Sequence, residues 1–592
     1  MNLSAEEKEI GKQNFLEAVG TTRRDFLKGT VLGSAATGAT LGAAYFNYGA
    51  IGKERLRVGI IGTGDEGGVL IGALNPDYID VVAIADIRPY NQHRAFHGDW
   101  SSANNENDGT KKARPGLMKV YGWETEKQAR DHVKVYTDYE ELIADENVEA
   151  VLVVLPLWLH DVAAIKAMRA GKHVLTEKLM AHSVAQCKEM ARVSEETGMI
   201  LATGHQRHYS ILYDNAVSQI QSGLIGKLHH IRAQWHRGNL PGADSWQPPL
   251  PTKLISEEDY KNGIRAAREL GGTAERDYKL EQKILGELFA WTKKRDSLTG
   301  SQADVWAAKV AMKEKQLEDF MVDAASYGYE EKTLENGQKR TALEELIRWR
   351  LWDRTGGGLM AELGSHQLDA ASIFISAQRE GHHKVMPLSV VGSGSRSLFP
   401  ADRDVDDHVY TTFEFPGPGY FKDGISGEVA DPNDKIVVTY SSINGNGFGG
   451  YGEVVLGTEG TLILEREQDV LLFKRSETQT KIEVRGGSGG AVMDTYETGG
   501  GGAAVAAAAT PDDVSRGYRE EIEHWAYCIK NPDPENQVKC TPKVAMADAI
   551  IALTSNIAMK ENRRIEFKTE WFDIKSDETP EGNAPRPLSE LG

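Results

Sequence analysis

A predicted buried strand that runs directly into a glycine-rich turn is the feature that most restricts the fold of this 592-residue chain. The apolar run 56–61 is followed by Gly62-Thr63-Gly64-Asp65-Glu66-Gly67, which has the spacing G-x-G-x-x-G. In such a turn the first glycine permits a tight bend, the second lets a pyrophosphate approach the backbone, and the third lets the next helix pack on the strand. The pattern predicts the start of a dinucleotide-binding domain.

A carboxylate at the end of the next predicted strand supports this interpretation. The strand 80–85 leads into Asp86, which lies 19 residues after Gly67, near the position of the carboxylate that binds ribose hydroxyls in such domains. Arg88 follows two residues later and has the chemistry to receive a 2′-phosphate instead. The residues favour NAD as the cofactor and leave NADP open.

Further strands are predicted at 150–155, 173–176 and 199–203, with helices at 161–170 and 184–196. These elements complete a doubly wound Rossmann domain over residues 55–205. Ligands of such sheets bind beyond the carboxyl ends of the strands. We therefore expect the cofactor, the catalytic groups and a cluster of substrate donors to lie near these residues: Leu155, Pro156, Trp158, His160, Glu177, Lys178, His205, Arg207 and Tyr209.

The second half of the chain has the pattern of an open, largely antiparallel sheet, so the fold class is α/β with an α+β domain at residues 206–592. Alternating apolar runs mark its strands: 227–235, 387–394, 408–415, 435–441, 451–457 and 461–464. A charged, helix-prone insertion spans about 239–352, and the sequence leaves open whether it covers the cleft or an interface. Residues 486–510 are predicted to be a Gly/Ala-rich loop, and 517–528 and 542–560 to be helices.

The amino terminus has the pattern of a twin-arginine export signal. Arg23 and Arg24 precede Phe-Leu-Lys, and the stretch 29–52 is uncharged. We therefore expect the export machinery as a partner and an exported, periplasmic location; an uncleaved membrane anchor is the less favoured alternative. The small residues 42–44 are the best candidate cleavage cluster, so residues 1–54 are left out of the predicted fold.

Composition excludes some classes of function. The net charge is −19 with no basic stripe to offset it, which argues against nonspecific nucleic-acid binding. The three cysteines, at 187, 528 and 540, are too few and too far apart for a disulfide framework or a zinc site. The acidic alternation 402–406 lacks the glycine and the distal glutamate of a calcium loop. No metal site is therefore expected.

The chain resembles the Gfo/Idh/MocA family of oxidoreductases over most of residues 55–567. The resemblance is carried by the glycine turn, by Glu177-Lys178, and by the run GGGLMAELGSHQLD at 356–369. Two positions depart from the family pattern: Leu179 replaces a proline, and Glu362 stands where aspartate is usual.

The resemblance implies that His366 is the catalytic base, that Glu362 is its partner, and that Lys178 polarises the substrate hydroxyl. The spacing agrees, because Glu362, His366 and Asp369 share one face of a regular helix. Asp369 thus joins the candidate substrate residues. The opposite face is apolar and suited to burial: Leu359, Leu363, Ala370 and Phe374.

These features predict an exported oxidoreductase that transfers hydride between tightly held NAD(P) and a sugar, glycoside or cyclitol. Tight binding is expected because free NAD(H) is mainly cytoplasmic. Two alternatives are a redox-assisted glycoside hydrolase or lyase, and a noncatalytic sugar-binding protein, since fold does not decide between them. The resemblance also implies a homo-oligomer formed through the second sheet.

Overall fold

The computed structural model describes residues 3–22, 41–51, 54–100, 112–242, 244–379, 381, 384–487, 490–495 and 516–591. Two sheets organise these residues, a parallel sheet near the amino terminus and a larger mixed sheet after it. This architecture confirms the predicted fold class.

The first sheet has six strands in the order β5-β2-β1-β6-β7-β8, and every neighbouring pair is parallel. Apart from the edge strand Lys134–Tyr136, its strands are largely buried and carry β-branched and other apolar residues, as expected for a sheet covered on both faces. The sequence missed the short strand β5 and the hairpin β3-β4. The strands of this half are β1 Leu56–Ile61, β2 Ile79–Ala85, β3 Asp99–Trp100, β4 Lys112–Arg114, β5 Lys134–Tyr136, β6 Ala150–Val153, β7 His173–Thr176 and β8 Leu201–Thr203.

Helices connect these strands, and local signals fix their ends. Ser183 and Gln186 form a reciprocal capping box at the start of Val184–Thr197, and Gly198 ends that helix in the left-handed conformation that glycine favours. The helices of this half are Asp65–Ala73, Pro89–His97, Leu117–Tyr121, Glu126–His132, Tyr139–Ala144, His160–Arg169 and Val184–Thr197.

The second sheet has eight strands in the order β17-β16-β15-β9-β14-β13-β12-β20, antiparallel except for the pair β9/β14. The long terminal helix Pro542–Glu561 and the helix Ser365–Ser376 pack against it, so one sheet face is in the core. Its strands are β9 Leu228–His236, β12 Ser389–Ser395, β13 His408–Pro416, β14 Lys435–Ile443, β15 Tyr451–Gly457, β16 Gly460–Glu465, β17 Asp469–Lys474 and β20 Ile565–Glu566.

The insertion after β9 is mostly helical. Its strands β10 Lys332–Thr333 and β11 Lys339–Arg340 form a small hairpin. Its long helix Ser301–Glu318 packs on Pro89–His97 of the Rossmann domain, so the insertion lies against the nucleotide-binding half. Its helices are Glu257–Leu270, Ala274–Glu281, Lys283–Asp296, Ser301–Glu318 and Ala342–Ile347. Elsewhere in the second half lie the helices Ile211–Gln221, Asp353–Gly356, Ser365–Ser376, Tyr518–Lys530, Pro542–Glu561 and Thr569–Phe572.

Leaving residues 1–54 out of the fold was wrong for two segments. The helix Ala5–Thr22 packs on β17, where Phe15, Ala18 and Val19 are buried and the Asn14 side chain donates to the Leu472 and Thr480 carbonyls. The helix Leu41–Phe46 packs on Tyr518–Lys530 and buries part of the candidate cleavage cluster. The paired arginines at 23–24 lie outside the described residues.

The predicted loop 486–510 was wrong at its start. There β18 Ile482–Gly487 and β19 Gly490–Thr495 form an antiparallel hairpin, and its remainder from 496 on lies outside the described residues. All three cysteines are free and buried. No helix in the described part of the chain is both long enough and apolar enough to cross a membrane.

Candidate active site

The glycine turn has the geometry that a dinucleotide requires. Gly62 has φ +90°, and a Cβ there would lie 2.3 Å from the Val154 carbonyl oxygen. A Cβ on Gly67 would lie 2.6 Å from the Gly62 carbonyl oxygen, so the turn and the first helical turn touch at backbone level. Only glycines fit both places, and the helix Asp65–Ala73 begins within this turn and contains Gly67. These residues fit the pyrophosphate of NAD.

A cavity of about 430 Å³ extends from this turn into the space between the two halves of the chain. It is lined by ten of the predicted site residues: Gly62, Gly64, Asp86, Arg88, Leu155, Pro156, His160, Glu177, Lys178 and Glu362. The sequence therefore placed ten of its candidate residues at this cavity, and most of the other lining residues were not among its candidates.

The insertion supplies the opposite wall of this cavity, which answers the question that its sequence left open. Gln247, Tyr329 and Arg350 line the cavity with the glycine turn. The Gln247 amide donates to the Asp65 carboxylate at 2.7 Å. The sequence did not predict these residues, because contacts remote in sequence bring them to the cavity. For Arg350 alone there was a local signal, since it lies close in sequence to the motif at 356–369.

Trp158 packs behind the cavity. Its ring contacts Tyr329 edge-on at 5.5 Å, and the Arg354 guanidinium lies 4.7 Å from its centre. Trp158 thus joins the Rossmann domain to the insertion, which agrees with a packing role and not with the predicted place beside the nicotinamide.

Asp86 is at the cavity, and its carboxylate is held by its own loop. Oδ2 accepts from the Thr63 N–H at 2.8 Å, and Oδ1 accepts from the Arg88 N–H at 2.9 Å. The Asn91 amide donates to the same carboxylate. Thr63 therefore acts by fixing Asp86.

Arg88 is buried, and its guanidinium is paired with Asp319 of the insertion at 2.8 and 2.9 Å. The second oxygen of Asp319 accepts from the Tyr90 N–H at 3.1 Å. Burial raises the pKa of the Asp319 carboxyl, while Arg88 and the Tyr90 N–H oppose that rise. Arg88 is thus engaged within the protein.

Lys178 is held where the two domains meet. Its Nζ donates to the Glu362 carbonyl oxygen at 2.5 Å, and the Lys178–Leu179 peptide bond is cis. His160 braces this loop, because its ring nitrogens lie 2.9 Å from the Leu179 carbonyl oxygen and 2.8 Å from the Leu155 carbonyl oxygen. Burial lowers the pKa of Lys178 and raises that of Glu177.

Glu362 contacts arginines and not His366, so its predicted partnership with that histidine is corrected. Its Oε1 lies 2.7 Å from Arg237 Nη1 and 3.6 Å from Arg350 Nε. Burial raises the pKa of this carboxyl, but Arg237 and Arg350 outweigh it and hold the pKa below its ordinary value. Glu362 is therefore an anion that balances two cations at the cavity.

The local helix geometry explains this. A π-helical turn, Met360–Gly364, precedes the α-helix Ser365–Ser376, and its wider turn rotates Glu362 relative to His366. The single polar stripe predicted for regular helix spacing is thus broken. The predicted apolar face is confirmed as buried: Leu359, Leu363, Ala370 and Phe374.

His366 is buried beside Trp235, with ring centroids 5.5 Å apart, and its Nδ1 has no hydrogen-bond partner in the described part of the chain. Burial, Lys178 and Arg207 hold its pKa well below the ordinary value. The imidazole is therefore neutral at pH 7 and has an unpartnered nitrogen, as a proton acceptor needs, but its low pKa makes it a weak base. His366 is not among the residues that line the cavity.

The predicted substrate donors do not line the cavity. Arg207 is buried between Glu453 and Glu467, which it contacts at 3.2 and 2.6 Å, because a buried guanidinium requires carboxylate partners. The Tyr209 hydroxyl contacts His524 at 2.9 Å and accepts from the Lys539 N–H. These two side chains are buried, make contacts within the protein and do not line the cavity.

His205 and Asp369 form a second buried cluster. Asp369 lies 2.9 Å from Lys384 and 3.0 Å from His208, while His205 Nδ1 is 3.6 Å from its other oxygen. Together with Asp548 they satisfy the spacing of a metal site among the described residues. Lys384 pairs with both carboxylates of that group and already supplies the positive charge there.

Comparisons with known proteins agree with this geometry. Residues 56–205 match the profile of the family GFO_IDH_MocA, described as "Oxidoreductase family, NAD-binding Rossmann fold". This segment is an NAD-binding Rossmann domain. The match covers the domain that carries the glycine turn, Asp86 and Lys178, and it leaves the second half of the chain outside.

Curated relatives match this chain over part of its length. The myo-inositol 2-dehydrogenase of Thermotoga maritima is 28% identical over 223 residues, 36% of this chain and 62% of that protein. The 2,7-anhydro-N-acetylneuraminate hydratase of Mediterraneibacter gnavus is 35% identical over 127 residues, 21% of this chain and 32% of that protein. The chain thus spans less than two thirds of the length of either relative.

A solved aldose-aldose oxidoreductase from Caulobacter crescentus, complexed with glycerol, aligns with 87% of this chain and 100% of its own. The identity is 14% and the TM-score is 0.46.

Proposed function

We propose that this protein is an NAD-dependent oxidoreductase of the Gfo/Idh/MocA type that transfers a hydride between the cofactor and a CH–OH group of a sugar, glycoside or cyclitol. The observation that carries the proposal is that Lys178 and Glu362, one from each domain, line the same cavity as the glycine turn. The name of the Thermotoga relative, a myo-inositol 2-dehydrogenase, supports a polyol substrate.

The side chains supply the proton chemistry that such a reaction needs. Bound NAD would provide the hydride acceptor. The Lys178 ammonium is positioned to orient a hydroxyl, because its loop is fixed by His160 and its Nζ by the Glu362 carbonyl. His366 is the candidate proton acceptor, since it is neutral and its Nδ1 is free. Glu362 pairs with Arg350, which also lines the cavity, and with Arg237.

Two measurements test the proposal. Nucleotide released from the denatured, freshly isolated protein is identified by mass spectrometry, and reduction of NAD is followed by absorbance with a panel of sugars and cyclitols. We expect Lys178→Met to lower turnover by about 10²-fold or more. The control is Lys119→Met, which changes an exposed lysine of the same domain. Equal turnover in the two variants would contradict the role of Lys178.

A second candidate is redox-neutral cleavage, in which transient oxidation acidifies a neighbouring C–H, the substituent is eliminated and the hydride returns. It is favoured by the Mediterraneibacter relative, which is named a hydratase and not a dehydrogenase. Glycoside cleavage or hydration without net NAD reduction would support this candidate over the first.

We also propose export through the twin-arginine pathway, with the cofactor bound before transport. The proposal rests on the paired arginines and the uncharged stretch that follows them. Cell fractionation of wild type and of Arg23→Lys/Arg24→Lys tests it, and equal periplasmic amounts of the two proteins would contradict it.

A homo-oligomer is the expected assembly. Tyr410 on β13 and Val391 on β12 are 47% and 45% exposed on the same outer sheet face. The molar mass in solution, measured by light scattering for wild type and Tyr410→Lys, tests this expectation; a monomeric wild-type protein would refute it.

A further inference from the structure

The loop after β2 contains a cation in a position that is chemically suited to an NADP phosphate. Arg88 follows Asp86 by two residues, and both line the cavity that contains the glycine turn. A free guanidinium there would pair with a 2′-phosphate by charge-assisted hydrogen bonds. Whether Arg88 is free therefore bears directly on the choice of cofactor.

The structure shows that the insertion engages this guanidinium. Nε and Nη2 of Arg88 both contact Asp319 Oδ2, at 2.9 and 2.8 Å, and the Asp319 side chain is fully buried. A buried ion pair of this kind is hard to open, because either partner would be left charged and desolvated.

Asp319 is itself fixed in place. It follows the long helix Ser301–Glu318, which packs on Pro89–His97. Its other oxygen accepts from the Tyr90 N–H, one of the unpaired amides at the start of Pro89–His97. The carboxylate therefore caps this helix from outside and holds Arg88 with the same group.

The remaining charge in the loop disfavours a phosphate. The Asp86 carboxylate stays at the cavity, where it accepts from the Thr63 and Arg88 N–H groups. With the Arg88 charge balanced by Asp319, Asp86 is left to repel a 2′-phosphate and to accept from ribose hydroxyls.

We propose that Asp319 is a specificity-determining residue that makes the nucleotide site select NAD over NADP by occupying the guanidinium of Arg88. The inference rests on the nucleotide site of the proposed function and goes beyond it, because the selecting residue comes from the insertion and lies 231 positions after Arg88.

The test measures dissociation constants of NAD and NADP by titration calorimetry with the full chain. Wild type is expected to bind NAD at least about tenfold more tightly than NADP. Asp319→Asn should free Arg88 and reduce that preference by about tenfold or more, through tighter NADP binding. Asp304→Asn, on the exposed side of the same insertion helix, is the matched control and should leave the preference unchanged.

The double variant Arg88→Gln/Asp319→Asn gives a second test. It removes both charges of the pair, so that no buried charged group is left without its partner. It should keep the wild-type preference, since Arg88 contributes nothing to NADP binding in wild type. An unchanged preference in folded Asp319→Asn, or a selective loss of NADP affinity in the double variant, would overturn the inference. Failure of wild type to bind either nucleotide would instead refute the proposed function.

Discussion

Replacing Gly62 by alanine tests whether the glycine turn holds the cofactor. At φ +90° an L-residue is strained by roughly 1–2 kcal/mol. The added Cβ would also lie 2.3 Å from the Val154 carbonyl oxygen, which follows β6 at the centre of the parallel sheet and cannot retreat easily. Relieving such a contact costs roughly 1–3 kcal/mol more. We expect a total loss of about 2–5 kcal/mol in the free energy of unfolding.

The displaced turn should also bind NAD at least about tenfold more weakly, because its amides no longer face the pyrophosphate. Gly171→Ala is the matched control: its φ is +74°, and no atom lies within 4 Å of the added Cβ. It should lose only the strain energy and keep its NAD affinity. Urea denaturation and titration calorimetry measure the two quantities. An unchanged NAD dissociation constant in Gly62→Ala would refute the assignment of the turn.

Three further predictions concern other parts of the molecule. His366→Ala should lower turnover by about 10²-fold, measured as NAD reduction, and an equal rate would remove its role as base. Phe15→Ala should lower the free energy of unfolding, measured by urea denaturation, by about 3–5 kcal/mol, because Phe15 is buried. Glu9→Ala, at an exposed position of the same helix, should leave it unchanged. Similar values for the two variants would show that the first helix does not contribute to the core. Burial lowers the pKa of His524 to about 4 in the folded protein. Between about pH 6.5 and pH 4 the unfolded chain therefore binds a proton that the folded protein does not, so the free energy of unfolding is highest above about pH 6.5 and falls as the pH approaches 4. Wild type should therefore lose up to about 1.4 kcal/mol per pH unit relative to His524→Gln in this interval, and parallel pH profiles would contradict the shift.

Local patterns predicted the fold because the strands are short, apolar and separated by clear turn signals. β1 and β7 have the predicted bounds, and β15 does as well. The errors lie where local composition does not report packing. The stretch 490–495 is rich in small residues, yet it pairs with β18, and the helix Ala5–Thr22 was set aside although its apolar residues meet β17.

The predicted site residues also fall into two groups, those that local sequence places correctly and those whose surroundings depend on remote contacts. Gly62, Asp86 and Lys178 follow strands of one sheet, so topology alone brings them together. Arg207 and Tyr209 also follow a strand, but their partners are remote in sequence. Arg207 contacts Glu453 on β15 and Glu467 after β16. Tyr209 contacts His524 in the helix Tyr518–Lys530. Without those partners, a run of polar donors could not be distinguished from a substrate site.

The acidic residues within the glycine turn illustrate how remote contacts decide local chemistry. Asp65 stands at the start of the helix that would face a diphosphate, where an unbalanced carboxylate would repel it. Arg94 and Arg350 contact that carboxylate at 2.9 and 3.4 Å, and Arg114 donates to the Asp65 carbonyl oxygen. Asp99 is the other carboxylate that contacts Arg94 and Arg114. Arg350 also lies 3.6 Å from Glu362, so three guanidinium groups face three carboxylates in this network. The Asp65 charge is thereby balanced by arginines that the fingerprint alone does not contain.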